Sequence, residues 1–464
     1  MEFSSPTVLA DRVKQALEKM GAQAPDARTL ATLFETMYAA SMHTEEGEAI
    51  SFHLAFMDPS NPDPDPPPRP RRDRWKVWPF DESVPYDVEH LVKLAKASDP
   101  RTSSLAVYGR RGKLEVWGLV DQGNHYHDYL NFDKDSAQAW RPGVFQASIE
   151  AIAHVTAWID YFKVAELRGS MLLGPALDAL SGKRLRESLQ PGAIMLQEQA
   201  KALLPSHFEG ALDDVEDLCY RSLTEALRRI LLRTRAYRHG GALLILPTAA
   251  DDPPLSVKYP LAYARLAESM RLQLVNRAKH GITMDMIMEA LDQDAETVDM
   301  GLYLDNVIAG DDLEDIDREL DAALWFIALL TRVDGLVVLD PQLAVKGFGA
   351  FVDVEAEPPQ VFEAITAAGG RMRALEYKAY GSRHRSMMRA CWAVRGSVGF
   401  VASQDGMIRG MTAINDGILV WPDLMLQRLR NAPTAKTQKQ LEQIRTEAAA
   451  SGTKGEEGDT GGSA

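Results

Sequence analysis

A chain of 464 residues with a formal net charge of −15 is long enough for two or three domains, and too acidic for broad affinity toward duplex nucleic acid or an anionic membrane surface. Hydrophobic residues make up 45%, as in soluble globular proteins, and two cysteines, Cys219 and Cys391, exclude a disulfide framework and a cysteine-rich zinc site. Met1 to Pro6 lacks the basic and apolar parts of a signal peptide, and the longest apolar helical run, Ala322 to Leu330, is too short to span a bilayer, so a reducing cytoplasm is the expected location.

Residues 7–42 place Val8, Val13 and Leu17, then Leu30, Leu33, Phe34 and Met37, at helical spacing, predicting two helices with the second entered at Ala24-Pro25-Asp26. Ser51 to Phe56 reads as a strand that stops at a Pro-rich stretch, Asp58 to Arg74, which can form neither helix nor central strand. Helical spacing returns from Val88 to Ala97, followed by a hairpin, Ser104–Tyr108 and Lys113–Val120 around Gly109-Arg110-Arg111-Gly112, and by strands at 143–151 and 153–161. These elements predict an α+β domain over residues 1–193. Residues 194–238 read as helical, with 194–215 a connector, and a C-terminal α/β domain with a mixed sheet is expected over 216–430. Between the strand Ala242–Leu246 and the helix Leu313–Leu330, residues 248–309 contain a helical segment, Tyr263 to Ala278, and no role is assigned to the stretch. Residues 431–464 lose aromatics entirely and are expected to be disordered.

Three polar clusters interrupt the apolar runs of the C-terminal half: Asp334-Gly335-Leu336, Gly381-Ser382-Arg383-His384-Arg385-Ser386, and Ser403-Gln404-Asp405-Gly406. A carboxylate at a strand start can hold a divalent cation. Two arginines, a histidine and free N–H groups at a helix start can hold a triphosphate. In that order the clusters resemble those of diadenylate cyclases, which carry Asp-Gly-Ala, Gly-Thr-Arg-His-Arg and Ser-Glu-Glu at the ends of comparable strands; Arg238-His239-Gly240-Gly241-Ala242-Leu243 resembles that family's first strand. The resemblance covers roughly residues 216–430 and implies condensation of two ATP into cyclic di-AMP with Mg²⁺ or Mn²⁺. It assigns Asp334, Arg383 and His384 to catalysis, Asp334 and His384 to the metal, and Gly335, Leu336, Gly381, Ser382, Arg385, Ser403, Gln404 and Asp405 to the nucleotide. It also implies a homodimer or higher homo-oligomer, because each domain holds one ATP. The N-terminal portion resembles sensor domains found ahead of such cyclases and implies a small-molecule ligand without naming it.

The chain departs from the family pattern at Leu336, where alanine is usual, and at Gln404 and Asp405, which replace two glutamates. The alternative is therefore a relative that binds ATP or a cyclic dinucleotide without cyclising. Elsewhere, His125-Tyr126-His127-Asp128 offers too few ligands for a metal site and Arg69-Pro70-Arg71-Arg72 is flanked by aspartates, so both read as polar loops. Met284, Met286 and Met288 are expected in a core, and Gly347-Phe348-Gly349 marks a bulge in a strand.

Overall fold

The computed structural model describes residues 4–19, 25–61, 76–99, 102–110, 112–122, 144–159, 162–174, 176–208, 210–248, 253–292, 299–354, 356–404 and 406–426. The expectations for Asp405, for 125–128, for 69–72 and for the tail 431–464 lie outside these residues.

The N-terminal half opens with two helices, α1 (Pro6–Lys19) and α2 (Ala27–Ala40). Asp26 caps α2 by accepting the Thr29 N–H at 3.0 Å, and its carboxyl is held below the ordinary carboxylate value by hydrogen bonds from the Thr29 side chain and backbone. After the short pair β1 (Thr44–Glu45) and β2 (Glu48–Ala49) come β3 (Phe52–Phe56), β4 (Lys76–Pro85), helix α3 (Val88–Leu94), β5 (Ser103–Arg110), β6 (Lys113–Asp121), β7 (Phe145–Ala151), β8 (His154–Ile159), β9 (Phe162–Arg168) and β10 (Met171–Leu173). The eight strands from β3 onward form one sheet in the order β10-β9-β8-β7-β3-β5-β6-β4. Strand alternation sorts the side chains: Phe52, Leu54, Leu105, Val107, Phe145, Ala147, Val155 and Ala157 share a core with the helices, whereas Ala55, Ala106 and Trp117 belong to a small cluster on the opposite face.

The C-terminal half begins with two long helices, α4 (Lys183–Lys201) and α5 (Glu216–Ala236). The first starts earlier than periodicity predicts and runs through Pro191; at the next position only glycine fits, because a Cβ on Gly192 would meet the Pro341 carbonyl. Leu196, Ala200 and Leu212, from the expected 194–215 connector, are buried in the same core as the strands that follow. The remaining elements are β11 (Gly241–Ile245), β12 (Leu255–Tyr263), α6 (Arg265–Asp292), α7 (Met300–Leu330), β13 (Leu336–Leu339), β14 (Val345–Val352), β15 (Val361–Ala364), β16 (Met372–Leu375), α8 (Ser382–Ala393), β17 (Val398–Ala402), β18 (Ile408–Ile414) and β19 (Gly417–Trp421). Nine strands form a mixed sheet, β12-β14-β13-β11-β17-β18-β19-β15-β16, in which β11–β13 and β15–β19 are parallel pairs. Leu243 and Ile245 of β11 pack with Leu223, Leu227 and Leu324 from the long helices, while Ala242 and Leu244 pack with Met387, Met388 and Cys391 of α8. The sheet is thus covered on both faces, which explains why β11 reads as a continuous apolar run.

The stretch left without a role contributes edge strand β12 and most of a helical hairpin, α6 with α7. The methionine expectation is corrected here: Met284, Met286 and Met288 are 39%, 51% and 51% exposed. In the distal part of a two-helix hairpin each helix has only its neighbour to pack against, and its outer face stays in solvent. The bend expected at Gly347 to Gly349 is present, with register shifts where β13 meets β14 and Gly349 at φ +64°.

The two halves meet through a buried ionic bridge. Lys163 of β9 pairs with Glu166 at 2.8 Å and with Asp423, which follows β19; Glu166 also binds His154 at 2.9 Å and Arg168 at 2.6 Å. Beside it the chain segments 177 and 423–425 exchange backbone hydrogen bonds, and the Leu424 N–H donates to the Ile408 carbonyl at 2.8 Å. Among the described residues no helix is long and apolar enough to cross a membrane.

Candidate functional site

Strand topology brings the sequence clusters to one end of the C-terminal sheet. β11 and β13 run parallel, so Gly240 and Asp334, which precede them, lie at the same end. β17 runs antiparallel to β11 with Gly241 opposite Ala402, which puts Ser403 there as well. Gly335 adopts φ +113° against the Gly349 backbone, where a Cβ would lie 2.6 Å from the Gly349 carbonyl carbon, so only glycine serves at this strand entry.

Helix α8 starts at the same end. Its N-cap, Gly381, has no side chain to cap the first turn, which leaves the leading N–H groups to water or to a ligand. Arg383 extends from that turn until its Nη2 is 4.0 Å from an Asp334 carboxylate oxygen, and it also covers Gly240, where a Cβ would collide with the guanidinium. The Asp334 side chain is 89% exposed and that of Arg383 33%, so the pair adds little stability, about 0–1 kcal/mol. An acid and a cation held this close and this open are available to a ligand.

His384 lies deeper. Arg409, at the start of β18 and opposite Val401 of β17, donates from Nη1 to His384 Nε2 at 3.0 Å and to Ser403 Oγ at 3.0 Å; Ser403 Oγ is 3.3 Å from the same nitrogen. Because arginine can only donate, Nε2 is an acceptor and carries no proton in this arrangement. Tyr380 packs its ring 6.0 Å from that of His384, and burial pushes its phenol up to about 12, so it stays protonated. Arg385 turns away toward the Tyr377 ring at 6.0 Å, and its Nε is buried without a hydrogen-bond partner among the described residues.

Asp334, Gly335, Gly381, Ser382, Arg383, His384 and Ser403 therefore gather at one end of the sheet. The Leu336 side chain does not join them: it is 2% exposed and packs in the apolar layer under α8 with Met387 and Met388. Gln404 is exposed on the β17–β18 turn. Sequence reasoning missed Arg409 and Tyr380. A single arginine in an otherwise apolar strand, one short turn after Ser403, was the available signal for Arg409. No group of three or more His, Cys, Asp or Glu side chains able to hold a metal occurs among the described residues. A lone exposed carboxylate such as Asp334 fits the other mode of Mg²⁺ or Mn²⁺ binding, in which substrate phosphates and water complete the shell.

Residues 19–121 match a family model described as "Probable sensor domain DACNV", which supports a sensor domain in the N-terminal half. No curated protein matches the chain.

Proposed function

We propose that the chain is a sensor-linked diadenylate cyclase, condensing two ATP into cyclic di-AMP and two pyrophosphates with Mg²⁺ or Mn²⁺. The observation that carries this reading is the approach of Arg383 to Asp334 at 4.0 Å beside the uncapped start of α8. In each of two condensations a ribose 3′-hydroxyl attacks the α-phosphorus of the other nucleotide. A P–O bond forms, the α–β anhydride breaks, pyrophosphate leaves and the hydroxyl proton is released. Asp334 stands where it can lower the cost of that deprotonation and supply a ligand to a metal carried in with the phosphates. A divalent ion, which Asp334 would help to hold, would supply charge neutralisation for the phosphates. Arg383 and the free N–H groups of α8 neutralise the triphosphate, and the Arg409–Ser403–His384 cluster holds its far side.

One observation favours the binding-only alternative: Gln404 replaces a carboxylate and leaves Asp334 as the acid of the described site. Incubation of purified protein with ATP and Mg²⁺ or Mn²⁺, followed by mass spectrometry, is expected to yield cyclic di-AMP. Asp334→Asn is expected to lower that rate at least about a hundredfold with an unchanged melting temperature. Undiminished turnover in the variant removes Asp334 from the mechanism, and no product together with an ATP-dependent rise in melting temperature establishes the binding-only relative.

A further inference from the structure

The face of the N-terminal sheet that turns away from α1, α2 and α3 carries buried polar side chains beside its small apolar cluster. Where Phe52, Leu54, Phe145, Ala147, Val155 and Ala157 point to the helices, their alternating neighbours on the other face include His53, Gln146, Ser148 and Thr156, exposed by only 9%, 0%, 0% and 1%. Registration makes them contiguous: His53 pairs with Ser148, and Ser148 with Thr156, across β3, β7 and β8. Ser104 and Gln122 continue the polar set on the β5–β6 side, Ser104 Oγ donating to Gln122 Oε1 at 3.0 Å.

Buried polar groups are ordinarily paired. Trp158 meets that rule, donating its indole N–H to Ser148 Oγ at 2.8 Å while its ring stacks with His53 at 6.4 Å between centroids. Gln146 does not: among the described residues neither its Nε2 nor its Oε1 has a partner, and the same holds for Gln122 Nε2 and His53 Nδ1. Four orphaned atoms on one buried face cost about 1–3 kcal/mol each if nothing meets them.

We propose that this face binds a small, flat, uncharged ligand with an amide- or lactam-type edge, the chemistry shared by neutral nucleobases and nicotinamide, held by Gln146, Gln122 and His53. A free carboxamide offers a donor and an acceptor side by side, and an amide or lactam edge returns an acceptor and a donor at the same spacing. Gln122 Nε2 asks for one more acceptor. The neighbouring Ala55, Ala106 and Trp117 give the apolar floor that ligand sites combine with a few convergent polar groups. Gln146, Gln122, Ser104, Ser148 and Thr156 are uncharged, and Glu166, the register neighbour of Thr156, is paired with His154, Lys163 and Arg168, which selects against ionic ligands. The site does not depend on the reading of the C-terminal half.

The full chain is to be titrated by calorimetry with nicotinamide, hypoxanthine and uracil, using nicotinate and orotate as charged counterparts. At least one neutral probe is expected to bind, its affinity to fall at least tenfold in Gln146→Leu and again in Gln122→Met, and the charged counterparts to bind at least tenfold more weakly. Without probe, Gln146→Leu is expected to melt no lower than the parent, because it removes an unpaired amide. If Gln146→Leu fails to fold, Gln122→Met decides. Absence of binding by every neutral probe overturns the proposal and leaves buried water as the occupant. Equal binding of the charged counterparts, or affinity retained in Gln122→Met, overturns it as well.

Discussion

His53 is a histidine whose burial outweighs the attraction of Asp99, so that its imidazole is pushed down to about 4 from an ordinary 6.5. The neutral form is the one that folds. Above pH 6.5 neither folded nor unfolded chain protonates this ring, and its contribution to stability is fully present. As pH falls from 6.5 toward 4, the unfolded chain takes up a proton that the folded chain refuses, and about 3 kcal/mol is lost. Urea unfolding is expected to show His53→Gln losing about 3 kcal/mol less stability than the parent across this range. An identical slope in parent and variant removes His53 as a source of acid lability. Glu166 acts in a lower window: burial opposes its ionisation, but His154, Lys163 and Arg168 outweigh that and hold its carboxyl well below 4.5, so its contribution is lost as pH falls below 4.5.

At the scale of elements, the bridge Glu166–Lys163–Asp423 joins a strand of one half to the segment that hydrogen-bonds Ile408, directly before Arg409. The Lys163 side chain is 8% exposed, and despite desolvation its two carboxylate partners raise its affinity for the proton. Replacing it strands buried carboxylates, so Lys163→Met is expected to cost about 3 kcal/mol. A double-mutant cycle with Asp423→Asn is expected to give a coupling of at least about 0.5 kcal/mol, and additive effects would show that the two side chains do not interact in solution. This bridge was invisible in the sequence, since Lys163 and Asp423 are separated by the whole C-terminal half. What was legible followed from periodicity: α1, α2, the β5–β6 hairpin and β11 all lie where alternation or helical spacing put them. The misses share one physical cause, that distant elements and not the local pattern decide which faces are covered. Met284, Met286 and Met288 read as core yet are 39%, 51% and 51% exposed. Nothing within their own strands marks His53, Gln146 and Ser148 as buried, although they are 9%, 0% and 0% exposed. In the candidate site the clusters at 334, 381–385 and 403 were visible because each is a short contiguous run. Arg409 was not, because its role appears only after the β17–β18 turn folds it back onto Ser403 and His384.

For the molecule as a whole, the described residues of one chain bring together one acidic turn and one cationic helix start, on the proposed reading a single triphosphate site, whereas the proposed product joins two nucleotides through two new phosphodiester bonds. On that reading neither condensation can be completed within a chain that positions a single ATP, so the proposed reaction requires two sites to face one another, each presenting its 3′-hydroxyl to the other's α-phosphate. The exposed position of Asp334, at 89%, is consistent with a site open on the side where a second nucleotide would arrive. Activity should then depend on encounter between chains. Below the dissociation constant of the pair, the rate of cyclic di-AMP formation is expected to rise with the square of protein concentration, becoming linear once pairing is complete. Asp334→Asn chains added in excess should suppress the parent's activity, because a mixed pair has the carboxylate beside only one of the two attacking hydroxyls. Specific activity that is flat on dilution and indifferent to added Asp334→Asn would mean that one chain holds both nucleotides, and the single-site reading of the Asp334–Arg383 end of the sheet would fall with it.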